Sequence, residues 1–301
     1  MPVTGGVRAL RADAWMLLAS AIWGAAFVAQ REVAGSLDAG SIAALRFLAG
    51  GLLLLPIVIV RRPMVRARSP FGTVMGGGIA CGVVMFVAFM LQQRGIEAGS
   101  TASAAGFITG LYVLFVPVLG LVVGLRTHPA LWGGAGLAAA GLYLLSMGVD
   151  LRMSWGDTLV LLCAGAWAVH VLLIGRFSPR CDAIELATAQ FLVTGVVAAL
   201  NLQQVPSADA IRECLWPLLY LGPVAVGVAF TLQVVGQRTA PPAHAAVILS
   251  LEGLFAAIFG AWLGGERLYA AQYVGCGLML VGILLAQWPE FVRRQTPAES
   301  C

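Results

Sequence analysis

Lysine is absent from the 301 residues, and charged residues of all kinds make up only 11% of the chain. Water-soluble proteins carry roughly 25% charged residues, because the surface around their core has to be polar. Hydrophobic residues account for 60% of the sequence, and the mean hydropathy is +0.91. The composition therefore excludes a large soluble domain and predicts an integral membrane protein.

Motifs for covalent or cofactor chemistry are also missing. The six cysteines form no CxxC pair, and the gaps between apolar runs hold no nucleotide-binding loop, metal-ligand spacing or nucleophile motif. We therefore expect no cofactor, no metal site, no enzymatic activity and no ATP-driven pumping. The energy sources that remain are a solute gradient, exchange or protons.

All 18 basic residues are arginines, and nearly all fall in the short gaps between apolar runs. This placement is typical of membrane topology signals, so we expect lipid and a small-molecule substrate as partners and no nucleic acid. With the N-terminus inside, the cytoplasmic segments hold twelve arginines: Arg8, Arg11, Arg61, Arg62, Arg66, Arg68, Arg126, Arg176, Arg180, Arg238, Arg293 and Arg294. The outer segments hold five: Arg31, Arg94, Arg152, Arg212 and Arg267. The positive-inside rule thus predicts that both chain ends face the cytoplasm.

Ten apolar runs approach the length of a membrane-spanning helix, which needs about 20 residues to cross the hydrocarbon core. They lie near 13–31, 40–60, 71–93, 101–124, 130–148, 157–176, 183–203, 213–236, 243–264 and 270–288. The first run could be read as a signal peptide, but it is part of the internal repeat described next. We therefore predict that it is retained.

The two halves of the sequence repeat each other. Residues Asp13, Trp23, Arg46, Phe47, Leu48 and Gly51 precede Asp157, Trp167, Gln190, Phe191, Leu192 and Gly195 by 144 positions. After a three-residue contraction, Arg126, Gly134, Gly136 and Gly141 precede Arg267, Gly275, Gly277 and Gly282 by 141. We divide the chain into a first repeat at 1–148, a second at 149–290 and a cytoplasmic tail at 291–301.

Each half contains five predicted helices. Because five is an odd number, the two halves are predicted to cross the membrane in opposite directions. Inverted repeats are a recurring plan of secondary transporters, in which the halves exchange conformations to open the cavity on either side. The predicted fold is an all-α polytopic membrane protein with ten transmembrane helices, arranged as two inverted five-helix repeats around a central cavity. A scaffold of the same ancestry without transport is the alternative.

Several short motifs occur in order on this repeat. They are Trp23-Gly24, Arg46-Phe47, Ser250-Leu251-Glu252 and Gly265-Glu266-Arg267-Leu268. On these motifs the chain resembles the EamA-type permeases of the drug/metabolite transporter superfamily over nearly its whole length. The resemblance implies a basket of ten helices, with helices 1, 3, 4, 6, 8 and 9 lining the cavity, and export or exchange of amino acids and other small metabolites. The chain departs from the family pattern at Gly253, where proline is frequent, and at Gly124-Leu125-Arg126.

Two charged residues lie deep inside apolar runs, where such side chains are costly and usually face a cavity or a partner. Glu252 is either a carboxylate that takes up protons or binds a substrate amine, or a carboxylate held by its neighbours for packing. Arg46 either holds a substrate carboxylate through paired hydrogen bonds, or extends outward toward the interface, or pairs with a glutamate as a structural brace.

Aromatic and imidazole side chains complete the set of candidate cavity residues. Trp23 and Trp167 are repeat equivalents near the membrane centre, whereas Trp15 fits the interfacial belt that tryptophan prefers. The two central tryptophans either line the cavity or pack the bundle, and Tyr112 joins them. His170 either titrates for proton coupling or is a neutral histidine bonded between helices.

We therefore predict a secondary transporter of the inner membrane that moves small metabolites, with amino acids favoured, by efflux or exchange through alternating access. It would act as a monomer or homodimer. A drug or nucleotide-sugar carrier is the alternative within transport. A membrane enzyme and a non-transporting scaffold or sensor are the alternatives outside it.

Overall fold

The structure is a computed structural model that describes residues 3–61, 69–125, 127–146, 154–202, 204–263 and 269–295. Helices and their connections make up all of these ranges, with no strand among them. The first half contains α1 (Val3–Val33), α2 (Ala39–Arg61), α3 (Phe71–Glu97), α4 (Ala102–Gly110), α5 (Tyr112–Val122) and α6 (Pro129–Ser146). The all-α class predicted from the sequence is confirmed.

The second half repeats this order with more interruptions. It contains α7 (Trp155–Phe177), a 3₁₀ turn (Ser178–Arg180), α8 (Ala183–Leu200), α9 (Ala208–Glu213), α10 (Leu215–Leu219), a π-helix (Tyr220–Phe230), α11 (Thr231–Gly236), α12 (Pro242–Leu249), α13 (Glu252–Leu263) and α14 (Ala270–Gln295). The first helix begins earlier than the predicted residue 13, and the last continues beyond 288. The proposed boundary at 148 lies outside the described residues.

Eight helical stretches in the described part of the chain are long and apolar enough to cross a membrane. They are Val7–Val33, Ala39–Arg61, Phe71–Glu97, Ala104–Val122, Trp155–Arg180, Ala183–Leu200, Leu215–Gly236 and Pro242–Leu263. The chain is therefore a polytopic membrane protein. The fifth and tenth predicted runs are helical as α6 and α14, and their role as membrane spans stays a prediction.

Two of the spans are interrupted at equivalent positions of the two halves. Leu111 separates α4 from α5, and Ser250–Leu251 separate α12 from α13. At both breaks the backbone tightens into i→i−3 hydrogen bonds, from Leu111 N to Ile108 O (3.2 Å) and from Leu251 N to Ile248 O (3.2 Å). Each break ends one helix and starts another deep in the bundle.

Helices α6 and α14 pack on each other through glycine. A Cβ atom added at Gly134 would lie 2.6 Å from the carbonyl oxygen of Gly282, and one added at Gly141 would lie 2.5 Å from that of Gly275. Only glycine permits this approach, in an environment where lipid supplies no hydrophobic drive for helix association. The same kind of contact joins α2 to α8, where Gly51 meets Leu192 and Gly195 meets Leu48.

Aspartates that are repeat equivalents cap α2 and α8. Asp38 accepts hydrogen bonds from the amides of Gly40 (2.9 Å) and Ser41 (3.1 Å) and from the Ser41 hydroxyl (2.6 Å). Asp182, 144 positions later, accepts from the amides of Ile184 and Glu185. An N-cap side chain satisfies amide groups that the first helical turn leaves without partners.

Replacing Asp38 with alanine is expected to lower the free energy of unfolding by about 1 kcal/mol at neutral pH. Burial alone would raise the pKa of Asp38, but the hydrogen bonds from Ser41 and Gly40 bring the pKa below its ordinary value. The cap is therefore fully effective above the unfolded-state pKa, and its contribution is lost as pH falls through the lower folded-state value. Unfolding curves of wild type and variant should converge at acid pH. An equal effect from Asp209→Ala, an exposed residue, would contradict this assignment.

Candidate functional site

A cavity lies at the centre of the bundle, where most of the helices meet. Its lining residues are Trp23, Ala26, Phe27, Gln30, Arg46, Phe47, Phe89, Gln92, Thr109, Tyr112, Trp167, Val171, Phe230, Gln233, Leu249 and Glu252. The space that the centre of a water molecule can reach is about 40 Å³. That space holds only a few water molecules, so the cavity is contracted.

Five of the six candidate residues from the sequence meet in this cavity: Trp23, Arg46, Tyr112, Trp167 and Glu252. The helices expected to line it all contribute, and α2 contributes as well through Arg46 and Phe47. The sixth candidate, His170, is fully buried and lies outside the lining.

Arg46 is buried, with 3% of its surface exposed. Its guanidinium carbon lies 4.6 Å from the ring centre of Phe89 and 5.3 Å from that of Phe47. Aromatic faces attract cations, which offsets part of the cost of removing the charge from water. The Nε and Nη1 atoms have no hydrogen-bond partner among the described residues. Arg46 therefore presents free donors, and it forms no brace with a described glutamate.

Glu252 is the first residue of α13, directly after the helix break. The side chain is buried, with 5% exposed, and its Oε1 atom has no hydrogen-bond partner among the described residues. A carboxylate is favoured at this point because the N-terminus of a helix carries partial positive charge. Tyr112, the first residue of α5, lies next to Glu252 in the cavity. Both helix breaks thus place a polar side chain in the cavity.

Phe230, the last residue of the π-helix, is the centre of an aromatic cluster. Its ring centre lies 4.4 Å from that of Trp23 and 5.6 Å from that of Trp167, on which it stacks at 25°. The Trp23 indole Nε1 donates to the carbonyl of Ala225 (3.0 Å), also in the π-helix. The π-helix therefore fixes both the orientation of Trp23 and the position of Phe230.

Sequence reasoning missed Phe230, because a phenylalanine in an apolar run looks like any other core residue. The internal repeat contains a signal that points to Phe230. Phe86 precedes Phe230 by 144 positions, the same offset that pairs Trp23 with Trp167.

Glutamine side chains also reach the cavity, from positions near the ends of their helices. Gln92 and Gln233 are buried and line the cavity. Gln92 donates to the Thr109 hydroxyl (3.0 Å), and Gln233 donates to Gln237 (2.9 Å). Neutral hydrogen-bonding groups thus line the cavity beside Arg46 and Glu252.

His170 joins α7 to α8 behind Trp167. Its Nε2 atom lies 3.0 Å from Oε1 of Gln190, and its ring meets the edge of Trp167 at 5.5 Å. Gln190 is the repeat equivalent of Arg46. This geometry fits a histidine bonded between helices, the structural alternative stated above.

Two segments of the chain, residues 10–147 and 154–288, each match the model of the EamA-like transporter family. The chain belongs to the EamA-like transporter family. The two matches confirm the internal repeat and the family resemblance drawn from the motifs.

Relatives of this EamA family member carry transporter names. A protein of Archaeoglobus fulgidus named "Uncharacterized transporter" is 28% identical over 285 residues, covering 93% of this chain and 87% of the relative. The "Uncharacterized inner membrane transporter YedA" of Escherichia coli K12 is 23% identical over 272 residues, covering 88% and 86%. A solved protein crystal structure superposes with a TM-score of 0.72 at 21% identity, over 95% of this chain and 99% of that one. This last likeness supports the fold.

The Trp-Gly motif has a structural reason in this EamA protein. A Cβ atom at Gly24 would collide with Cβ of Phe255 and would lie 2.7 Å from the backbone nitrogen of Ala256. Glycine therefore lets α1 and α13 cross closely, which brings Trp23 and Glu252 into one cavity. The closing motif at Gly265–Leu268 lies outside the described residues.

Proposed function

We propose that this protein is a secondary transporter that moves small zwitterionic metabolites, amino acids above all, by efflux or exchange. The observation that carries the proposal is a separated pair of opposite charges in one aromatic cavity. Among the arginine, aspartate and glutamate residues that the structure describes, Arg46 and Glu252 are the two whose side chains are buried. No ion pair joins them.

An amino acid matches this pair of groups in charge and in hydrogen-bonding capacity. Arg46 offers free donors to a carboxylate, which accepts paired hydrogen bonds from a guanidinium. Glu252, beside the Tyr112 hydroxyl, suits an ammonium group. The aromatic cluster around Phe230 leaves an apolar wall for the side chain. A nucleotide sugar, with two phosphates, fits less well because Arg46 is the one arginine among the described residues that line the cavity.

Alternating access is the mechanism we propose, because the contracted cavity has to expand to admit an amino acid. Paired contacts between the halves support a two-fold relation between them. Gly134 meets Gly282, while their repeat equivalents, Gly275 and Gly141, meet each other. This exchange of partners is what a two-fold axis produces. The helices run antiparallel at the contact, so the axis would lie in the membrane plane, as in inverted repeats.

A second pair of contacts follows the same relation. His244 Nε2 lies 2.9 Å from Asp13, and Ser100 Oγ lies 2.8 Å from Asp157. Asp157 follows Asp13 by 144 positions, and His244 follows Ser100 by 144. We therefore propose ten spans in two inverted repeats, divided as at 1–148 and 149–290.

The proposed location is the inner membrane, with both chain ends in the cytoplasm. The supports are the name of the Escherichia coli relative and the excess of arginine in the segments assigned to the inside. One chain supplies the whole cavity, so function as a monomer or as a homodimer is compatible with the proposal.

Counterflow into proteoliposomes tests the proposed function. Vesicles loaded with one unlabelled amino acid at a time should accumulate the same labelled amino acid transiently, with and without a pH gradient. Protein-free vesicles and vesicles loaded with a nucleotide sugar serve as controls. Counterflow of no amino acid, together with counterflow of another solute class, would overturn the substrate assignment.

Replacing Phe230 with leucine is expected to lower transport of aromatic amino acids about 2- to 10-fold relative to leucine or valine. The reason is the loss of ring contacts, each worth about 0.5–1.5 kcal/mol. Competition between labelled tryptophan and unlabelled leucine in counterflow measures the ratio. Phe259→Leu is the matched control, because Phe259 contacts Trp262 and lies outside the cavity lining. An unchanged ratio in Phe230→Leu would show that the ring does not select substrates.

A further inference from the structure

A second, larger cleft lies at one end of the bundle, away from the central cavity. It is lined by Arg8, Arg11, Ala12, Trp15, Pro179, Val235, Arg238 and Thr239, and it encloses about 530 Å³. The walls come from the start of α1, the 3₁₀ turn after α7 and the end of α11 with the residues after it. Neither the substrate nor the transport mechanism proposed above uses this cleft.

The cleft is strongly basic. Arg8, Arg11 and Arg238 contribute three guanidinium groups, and no aspartate or glutamate occurs among the described residues that line it. Asp13, the carboxylate next to it along α1, is already engaged by His244 at 2.9 Å. The three arginines form no ion pair with the described residues. An anion in the cleft would therefore meet three guanidinium groups that no described carboxylate neutralises.

An exposed apolar stripe continues from the cleft along α1 into the membrane. Arg8, Arg11, Trp15 and Leu18 follow each other at spacings of three and four residues, which places them on one face of the helix. Trp15 and Leu18 are exposed by 42% and 45%. Tryptophan favours the boundary between headgroups and acyl chains. Along this face of α1, the two arginines are therefore followed by an interfacial tryptophan and then by a leucine that faces the lipid.

We propose that this cleft binds the headgroup of an anionic phospholipid, with the phosphate between the three arginines and an acyl chain along Trp15 and Leu18. Basic pockets between helices on the cytoplasmic side of membrane proteins are suited to such headgroups. A soluble phosphate would use the arginines alone and would gain nothing from the stripe. A lipid is the better ligand because the basic cleft and the apolar stripe form one continuous surface.

The bound lipid would lie next to the contact between α1 and α12. Ala12 and Thr239 line both the cleft and a small neighbouring pocket that contains Asp13 and His244. Occupancy of the cleft should therefore stabilise the α1 end of the bundle, and the unfolding temperature is a direct readout.

The test uses the purified full-length protein in detergent with three probes: dioleoylphosphatidylglycerol, dioleoylphosphatidylcholine and glycerol 3-phosphate. Phosphatidylglycerol at about 100 times its Kd is expected to raise Tm by roughly 5 °C, because a ligand of the native state stabilises by mass action. Phosphatidylcholine and glycerol 3-phosphate should leave Tm unchanged. Native mass spectrometry should retain one phosphatidylglycerol on the protein.

The matched variants are the triples R8Q/R11Q/R238Q, in the cleft, and R61Q/R94Q/R212Q, at exposed arginines outside it. The cleft triple should lose the lipid-dependent shift and the retained lipid, and the control triple should keep both. If the cleft triple does not fold, Arg238→Gln alone should reduce the shift. The proposal is overturned if the cleft variants keep the full shift, if the control triple loses it equally, or if phosphatidylcholine or glycerol 3-phosphate reproduces it.

Discussion

Glu252→Gln is expected to lower the transport efficiency for zwitterionic amino acids about 10- to 100-fold, and Arg46→Gln should do the same. A hydrogen bond to a charged partner contributes about 1.5–3 kcal/mol, and the ammonium or carboxylate group of the substrate would be buried without its counter-charge. Initial rates in proteoliposomes over a range of substrate concentrations measure the effect. Arg94→Gln, an exposed arginine, should transport like wild type.

Substrate analogues separate the two roles. An amino-acid amide lacks the carboxylate, so the wild-type preference for the acid over the amide should disappear in Arg46→Gln and persist in Glu252→Gln. A deaminated acid lacks the ammonium group and should give the reverse pattern. Equal losses for all substrates in both variants would mean that the residues support the fold and not the substrate. A Glu252→Gln protein with full pH-driven transport would rule out Glu252 as the proton-coupling residue.

Gly134→Val is expected to cause a large loss of stability. A Cβ atom at this position would lie 2.6 Å from the Gly282 carbonyl and 2.9 Å from Cβ of Ala286. Overpacking of this kind costs about 1–3 kcal/mol. The Gly282 carbonyl belongs to the backbone, so no change of side-chain rotamer can relieve the contact. We expect Tm in detergent to fall by several degrees and the yield of folded protein to drop.

Gly136→Val provides the control on the same helix. Nothing lies within 4 Å of an added Cβ at Gly136, and the substitution makes the same change in helix propensity. Gly282→Val and Gly277→Val form the equivalent pair on α14, with the same contrast between a blocked and an open position. Similar Tm values within either pair would contradict close packing of α6 on α14.

The candidate residues could be predicted from the sequence where placing the residue type inside the membrane has a high free-energy cost. Arg46 and Glu252 stand out because few charges fall inside apolar runs, and Trp23 with Trp167 stands out because tryptophan is unusual at the membrane centre. Depth in the membrane can be counted along the chain. The face of a helix that meets the cavity cannot be counted in this way, because spacing fixes only the positions of side chains relative to one another. His170 was therefore grouped with the cavity although its ring contacts Gln190.

The helix breaks were beyond sequence reasoning for a different reason. No proline marks Leu111 or the Ser250–Leu251 junction. Proline occurs instead inside α5 at Pro117 and inside the π-helix at Pro223. Close tertiary contacts flank both breaks, with Gly110 and Gly253 each packed against Leu142. Local propensity carries no record of such contacts.

The two charged groups of the cavity are contributed by different halves of the chain. Arg46 comes from the first half, and its equivalent in the second is neutral Gln190. Glu252 comes from the second half, and Tyr112 takes the matching place after the helix break in the first. A molecule assembled from two copies of either half would thus enclose two like charges and lose its dipole. Under the proposed function, this difference between the two halves lets one cavity bind both charged ends of one small molecule.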